Sequence, residues 1–596
     1  MLSREKIFPE PDLPVGADLL AEGAALAKTW SIGPSPFLEE MGVTSEAEYK
    51  LRRMAEKAVM QHAQIGYRDR EKSRRAYGSI WEDCIRKGVR VDRYGLCLDW
   101  SMALPRAIRK SATRGTGMIL PGVEDFVALT GAAPAAPHFG DFVLGFPAAL
   151  ENTQAALAAG STAIGNLGQY FTFRIPGWDD DVEATRATVL ALGLIAGQPV
   201  PVIVHSNLDD GFAAQFTDLT SCLGMSILEK SVITGLVGAP MGHCFGHHFS
   251  DPFTRLAFHR AMSMIDAGPG TMLYGNTTSY RGTPAANYAS LASYLLVDVV
   301  GQQLFPTGHA VNPVPVTENE RIPEIDEVVD AQLFAGTLVN HGRLYEPLID
   351  LAEIDRVAAI LVEGGRRFAA NVTRGLADAG VNLTDAFEML LALRRLGARY
   401  LEREYGVREK DERGTRAPVV PATILTEIHE MARSALSRVT VPQRDVLRRT
   451  RQRVLVATSD VHEHGKMLIE EMLKQLDVES LDGGVSTDPD RVAALVDETG
   501  ATAIAISTYN GVALDYCLKL QRELEARGLE TPILIGGRLN QIPEASNSSL
   551  PVDVGDQLQE AGAIVCREAS DLVQSLLKLP HPDSHGKARS PTVKHA

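Results

Sequence analysis

A short loop near residue 460 carries two side chains that together could hold a metal ion. Asp460 and His462 follow the apolar run RVLVATS, which begins at residue 453 and is typical of a buried β-strand. The imidazole of His462 can coordinate a metal through one ring nitrogen, while Asp460 accepts a hydrogen bond from the other and fixes the tautomer. We therefore expect His462 to be a metal ligand, oriented by Asp460. Gly465 is expected to open the next helix without a side chain in the way.

Two further runs place small or hydroxyl-bearing residues at strand ends. Ser507 and Thr508 end the run AIAIST, and Gly536 and Gly537 end the run PILIGG. Glycine pairs allow a flat or bulky ligand to approach the backbone closely. Ligands of an open α/β sheet bind outside the carboxyl ends of its strands, so these residues and the loop at 460 predict one crevice.

The elements that must position this crevice alternate between strand and helix from residue 453 to about residue 579. Five short apolar runs, each separated from the next by a helical pattern, predict an open parallel sheet with helices on both faces. We expect a flavodoxin- or Rossmann-like domain over residues 451–580. The remaining residues, 581–596, are rich in proline, lysine and serine and are expected to be disordered.

The motif Asp-x-His-x-x-Gly, followed by a serine at a strand end and then Gly-Gly, resembles the cobalamin-binding domains that bind the cofactor base-off. The resemblance covers about 450–580 and is closest to the small subunit of the glutamate (methylaspartate) mutase family, which are adenosylcobalamin-dependent carbon-skeleton mutases. It implies that His462 replaces the nucleotide base beneath the cobalt, and that Ser507, Gly536 and Gly537 line a slot for the nucleotide tail. Thr508 and Tyr509 depart from the family, which often has a small residue and then leucine there, so the slot is expected to differ in shape.

A longer alternation of strand and helix precedes this domain. Over residues 88–345 it predicts a (β/α)8 TIM-like barrel, with polar residues at the strand ends where barrels build their active sites. The strands are expected at FVLGF (142–146), TAIGN (162–166), VPVIVH (200–205) and TMLYGN (271–276). Residues 1–87 are expected to form a helical arm that includes a helix over 46–63, and residues 346–450 a helical linker region.

The barrel segment resembles the large subunit of the same mutase family in the order of its motifs. On that resemblance the candidate catalytic residues are Arg114, Tyr170, His247 and Tyr280, around a small-molecule substrate. One family arginine is replaced within FVLGFPAAL, and the glutamate that receives the substrate ammonium falls near Asn166 and Leu167. We therefore expect a radical mutase, an isomerase, acting on a small polar acid other than glutamate.

Three other interpretations remain open from the sequence. The helical region at 346–450 is also compatible with a corrinoid-dependent methyltransferase, and a cobalamin domain alone would suit a sensor or carrier without catalysis. The spacing of His243, His247 and His248 is compatible with zinc, although no complete ligand set accompanies it.

Composition limits the partners and the compartment. A formal net charge of −16 disfavours a nucleic-acid partner, since phosphates are bound by basic faces. Six cysteines without a CxxC pair indicate reduced thiols, and neither a signal peptide nor a long apolar run is expected. We expect a cytoplasmic protein that does not bind a membrane. The resemblance adds a homodimer and a reactivating chaperone as candidate partners.

Overall fold

The protein is described by a computed structural model. It describes residues 2–112, 115, 117–175, 177–208, 216–247, 249, 251–276, 280, 283–319, 321–412, 414, 416–460, 463–509, 511–541 and 552–579. The strands are β1 (Met60–Ile65), β2 (Arg93–Leu96), β3 (Ala136–Phe139), β4 (Ala163–Ile164), β5 (Ile203–Asn207), β6 (Met241–Cys244), β7 (Met272–Leu273), β8 (Ala310–Val311), β9 (Arg453–Thr458), β10 (Glu479–Asp482), β11 (Ala503–Thr508), β12 (Ile533–Gly537), β13 (Asn540–Gln541), β14 (Val552–Asp553) and β15 (Ile564–Cys566).

The α-helices alternate with these strands. They are α1 (Arg4–Ile7), α2 (Gly16–Leu26), α3 (Pro36–Met41), α4 (Glu46–Ala55), α5 (Arg70–Arg86), α6 (Val123–Thr130), α7 (Ala149–Ala158), α8 (Gln169–Thr172), α9 (Asp181–Ala196), α10 (Leu219–Lys230), α11 (Pro252–Ile265), α12 (Pro284–Leu304), α13 (Ile325–His341), α14 (Leu351–Asp378), α15 (Ala386–Tyr405), α16 (Thr423–Ala435), α17 (Val441–Thr450), α18 (His464–Leu476), α19 (Pro489–Thr499), α20 (Ala513–Ala526), α21 (Gly555–Glu560) and α22 (Ala569–Leu576).

The chain divides into two compact units. The first contains β1–β8 with α1–α15, and the second contains the short segment 176–178 and, from residue 426 onward, β9–β15. The second unit therefore starts earlier than the expected boundary at 450/451. The reason is packing, because Ala432, Leu436 and Leu447 lie in the same apolar cluster as Val454 and Val456 of β9.

The first unit is a nearly closed barrel of eight parallel strands, in the order β6-β5-β4-β3-β2-β1-β8-β7. An isolated parallel bridge between Phe245 and Leu273 joins its two edge strands. Helices follow the strands in alternation, so the expected α/β barrel is confirmed.

Two details of the barrel differ from the expectation. The helix expected over 46–63 ends at Ala55, and the segment expected to be a helical arm contains β1, so the barrel begins before residue 88. The strand expected at FVLGF is absent, because residues 142–146 form turns and the preceding APHF is the strand β3. Both apolar runs are buried, and burial alone does not separate a strand from a packed turn.

Helix α4 packs against the amino-terminal end of the barrel through buried charges. Lys50 Nζ donates to the carbonyl oxygens of Thr271 and Gly308, each at 2.8 Å, and both residues precede strands. Glu46 accepts a hydrogen bond of 2.8 Å from Arg93 Nε and lies 3.6 Å from Lys50 Nζ. These contacts balance the charges that burial would otherwise make costly.

Polar side chains replace the usual branched aliphatic residues inside the barrel. His62, His138 and His205 come from β1, β3 and β5, and each is at most 2% exposed. The rings of His138 and His205 are 4.2 Å apart, and His205 Nδ1 lies 2.8 Å from Thr271 Oγ1. Burial, reinforced by the charge of Arg93, lowers the pKa of all three imidazoles well below their ordinary value, so they are neutral at physiological pH.

The second unit is a five-stranded parallel sheet in the order β10-β9-β11-β12-β15, as the sequence predicted. One apolar cluster fills the face covered by α16, α17, α18 and α22, and a second fills the face covered by α19, α20 and α21. The strands β13 and β14 pair antiparallel beside this sheet. In the described parts of both units, no helix has the length and apolar character needed to cross a bilayer.

Candidate functional site

The carboxyl end of β9 leads into a loop that is tied to the neighbouring strand β11. Asp460 is 7% exposed, and its Oδ2 accepts hydrogen bonds from the Tyr509 backbone N–H at 2.7 Å and from Ser459 Oγ at 3.2 Å. The Ser459 N–H in turn donates to the carbonyl oxygen of Ser507 at 3.0 Å. The Asp460 carboxylate therefore has a fixed orientation. His462, the predicted metal ligand, and Val461 lie outside the described residues.

Gly465 allows the start of α18 to approach β11 closely. A Cβ atom at this position would lie 2.1 Å from Ser507 Oγ, a distance that no real pair of such atoms adopts. A glycine is therefore required here if Ser507 keeps its place at the end of β11, and the structure brings these two predicted residues together.

The ends of β11 and β12 form a strip with little side-chain cover. Ser507 pairs with Gly536 and Thr508 with Gly537, and Gly536 pairs on its other side with Cys566. Gly537 has φ of 98°, and a Cβ there would lie 2.3 Å from the carbonyl oxygen of Thr508. The buried Thr508 Oγ1 has no hydrogen-bond partner within the described part of the chain. A bare glycine strip beside an unpartnered hydroxyl fits a ligand that approaches the backbone, as the nucleotide tail of cobalamin would.

The barrel residues predicted as catalytic that the structure describes follow the carboxyl ends of strands. Tyr170, in α8 after β4, is 3% exposed, and among the described residues its hydroxyl has no hydrogen-bond partner. The hydroxyl of Tyr280 donates to the carbonyl oxygen of Val314 at 2.9 Å. Burial raises the pKa of both phenols. Arg114 lies outside the described residues.

The histidines near β6 have separate partners. His243 Nε2 lies 3.2 Å from Glu229 Oε2, whereas His247 Nδ1 lies 3.3 Å from the carbonyl oxygen of Gly275. The third histidine of this motif, His248, lies outside the described residues. No group of three metal-binding side chains is found within the described ranges.

Asp141 is a candidate residue that the sequence did not reveal. It follows β3, is partly exposed, and its closest described polar partner is Gln169 Nε2 at 3.5 Å. Burial raises the pKa of the Asp141 carboxyl to about 6. The sequence pattern predicted a strand at 142–146, which would place Asp141 before a strand. In the structure Asp141 follows the strand β3, where active-site residues of a barrel are expected. A strand ended by Gly140 and Asp141 would have been the signal.

The turn after Asp141 is held by two side-chain amides. Phe142 has φ of 58°, an uncommon conformation for a residue that is not glycine. Its N–H donates to Gln169 Oε1 at 2.8 Å, and its carbonyl oxygen accepts from Asn152 Nδ2 at 3.1 Å. The Asp141 backbone is therefore fixed at the end of the barrel where the active site is expected.

Comparison with protein families identifies a domain within the second unit. The model of the B12 binding domain family matches residues 451–557. A novel cobalamin-binding protein from Desulfitobacterium hafniense DCB-2 is 19% identical over 26% of this chain and 81% of that chain, with a TM-score of 0.19. A dihydrodipicolinate synthase from Agrobacterium tumefaciens strain C58 is 12% identical over 58% of this chain and 100% of that chain, with a TM-score of 0.24. No curated protein matches the chain significantly. Residues 451–557 are thus a B12-binding domain, which indicates a B12-dependent protein.

Proposed function

We propose that the protein is an adenosylcobalamin-dependent mutase, an isomerase that rearranges the carbon skeleton of a small polar acid other than glutamate. The observation that supports this most is the presence, on one chain, of a B12-binding domain and a barrel with polar groups at its strand ends. The motif order of the barrel, which resembles that of carbon-skeleton mutases, favours this reaction over others. We further propose a cytoplasmic location.

Four of the candidate residues have distinct tasks in this proposal. His462 would hold the cobalt of the cofactor, and the fixed carboxylate of Asp460 would orient its imidazole. Adenosylcobalamin held there would supply radical chemistry, and the residues of this chain would bind and orient the substrate beside it. Arg114 binds the carboxylate of the substrate, and the unpartnered hydroxyl of Tyr170 donates a hydrogen bond to it.

A corrinoid-dependent methyltransferase is the alternative that a specific observation favours. The helices α16 and α17 pack through Ala432 and Leu447 onto one face of the B12-binding domain. A helical cap before the cobalamin domain is expected of such methyltransferases. The barrel would then present a methyl donor or acceptor in place of a rearranging substrate.

Anaerobic electron paramagnetic resonance separates the two functions. The protein is loaded with adenosylcobalamin and mixed with a panel of small carboxylic acids. A mutase gives a Co(II) signal that depends on one acid. A methyltransferase gives no such signal with any acid, but its reduced cofactor is alkylated by a methyl donor, and that result would contradict the proposal.

Tyr170→Phe is the informative variant in the same experiment. It deletes a hydroxyl that lacks a described partner, so we expect a weaker substrate-dependent signal and an unchanged thermal midpoint. The matched control is Tyr288→Phe, because that ring is 44% exposed on α12. A signal that is the same in Tyr170→Phe as in the control would remove Tyr170 from the site.

A further inference from the structure

Basic side chains follow three strands of the second unit, and two of them are neutralised by carboxylates. Lys466 is fully buried, and its Nζ lies 2.5 Å from Glu470 Oε1 and 3.0 Å from Asp482 Oδ1. Arg567 pairs with Asp553 at 3.2 Å and with Asp556 at 3.5 Å.

The third basic residue, Arg538, has no carboxylate partner in the described part of the chain. It directly follows the Gly536–Gly537 end of β12 and is partly exposed. Its charge is therefore available to an anion that reaches this edge of the sheet.

The guanidinium of Arg538 is held by stacking. Its Cζ lies 4.3 Å from the centroid of the Tyr509 ring, and its backbone N–H donates to the carbonyl oxygen of Thr508 at 2.8 Å. Stacking uses the face of a guanidinium, whereas its N–H donors point outward in the plane. Stacking on Tyr509 therefore orients the N–H donors of Arg538 and leaves them available to hydrogen-bond a ligand. Tyr509 is itself fixed by its N–H bond to Asp460.

We propose that Arg538, stacked on Tyr509, binds the phosphodiester of the cobalamin nucleotide tail. The domain binds B12, and the tail of this cofactor carries one negatively charged phosphodiester. The bare strip between Ser507 and Gly536 provides a path for the tail, and Arg538 stands at the end of that strip. A planar fork of donors matches the oxygens of a phosphodiester. This inference needs only cobalamin binding and holds for a mutase or a methyltransferase.

Two corrinoids test the proposal by equilibrium binding, followed in the visible spectrum. Cobinamide has the corrin ring of cobalamin but lacks the nucleotide and its phosphate. We expect Arg538→Gln to lower the affinity for cobalamin by about tenfold or more and to leave that for cobinamide unchanged. Arg538→Lys keeps the charge but lacks the planar fork of donors, so we expect an intermediate loss of affinity for cobalamin. Arg527→Gln, at an exposed position, is the control.

The salt dependence of cobalamin binding gives a second readout that does not need cobinamide. Salt screens the ion pair between Arg538 and the phosphodiester, so the part of the affinity that this pair contributes falls as the salt concentration rises. We expect a weaker salt dependence for Arg538→Gln than for the wild type and for Arg527→Gln. If Arg538→Gln lost the same affinity for cobalamin and for cobinamide, or if the salt dependence of its cobalamin binding were unchanged, Arg538 would have a structural role and the proposal would be overturned.

Discussion

The carboxyl group of Asp141 lies at the carboxyl end of β3 with no cation paired to it among the described residues. Burial disfavours its ionised form and raises its pKa from 3.8 to about 6. Near neutral pH the group is mostly ionised, and the poor solvation of this charge lowers the free energy of unfolding. Such a cost is common at functional sites, where a ligand or a reaction offsets it.

Asp141→Asn should therefore stabilise the barrel in a pH-dependent manner. A carboxyl whose folded pKa is raised contributes its full stability below pH 3.8, and loses it as the pH rises through about 6. At about pH 7.5 we expect the variant to be more stable than the wild type by about 1–2 kcal/mol, and at about pH 5.5 by less. Denaturant unfolding at both pH values measures this difference. The control is Asp330→Asn on the exposed face of α13. A less stable variant at the higher pH would mean that Asp141 has a structural partner.

Close approach of two elements, the start of α18 and the end of β11, shapes the candidate cofactor site. Gly465 lies where any Cβ would meet Ser507 Oγ at 2.1 Å. Helix propensity alone would favour alanine at this position by about 1 kcal/mol. The contact with Ser507 opposes that gain, because either the helix or the serine must move.

We expect Gly465→Ala to weaken cobalamin binding by about tenfold and to bring no gain in thermal midpoint. Gly78→Ala in α5 is the comparison, since a Cβ there meets its nearest atom at 3.4 Å. Visible titration with cobalamin and thermal unfolding of both variants provide the measurements. Unchanged cobalamin affinity in Gly465→Ala would show that the spacing of α18 and β11 does not matter for the cofactor.

A strand or helix could be predicted from sequence where the spacing of its apolar residues distinguishes the two structures. The five strands of the second unit are short apolar runs bounded by helical patterns, and all five were predicted. In the barrel, β1 follows α4 after a short break and its residues continue the helical spacing, so it was missed. The strand-end motifs of the site were predicted because glycine and hydroxyl residues stand at fixed offsets from apolar runs. The contacts of Asp141, Arg538 and Tyr509 join distant parts of the chain and could not be inferred from local patterns.

At the scale of the whole molecule, five of the buried histidines that the structure describes in the first unit are held in the neutral form. They are His62, His138, His205, His259 and His309. Burial lowers the pKa of each, and for His259 the value falls to about 4. The unfolded chain binds protons on these imidazoles near pH 6.5, whereas the folded barrel does not.

The barrel should therefore lose stability in mild acid. For a base with a lowered folded pKa, the stability is fully present above the unfolded pKa and declines as the pH falls from 6.5 toward about 4. Each histidine contributes up to about 1.4 kcal/mol per pH unit in that window. Denaturant unfolding between about pH 7.5 and pH 5 measures the slope of the free energy of unfolding against pH. We expect His259→Gln to reduce this slope by the contribution of about one proton. A stability that is flat over this range would contradict the neutral state of the buried histidines.

The most direct test of the account is whether His462 ligates the cobalt of bound cobalamin. Unlabelled cobalamin is bound to protein labelled with nitrogen-15 and reduced to Co(II), and the paramagnetic resonance spectrum is compared with that of unlabelled protein. Coordination by a protein histidine predicts that each cobalt line is a doublet with labelled protein and a triplet with unlabelled protein, and that His462→Gly abolishes this difference. A triplet with labelled protein would show that the cofactor keeps its own base, and would contradict the account.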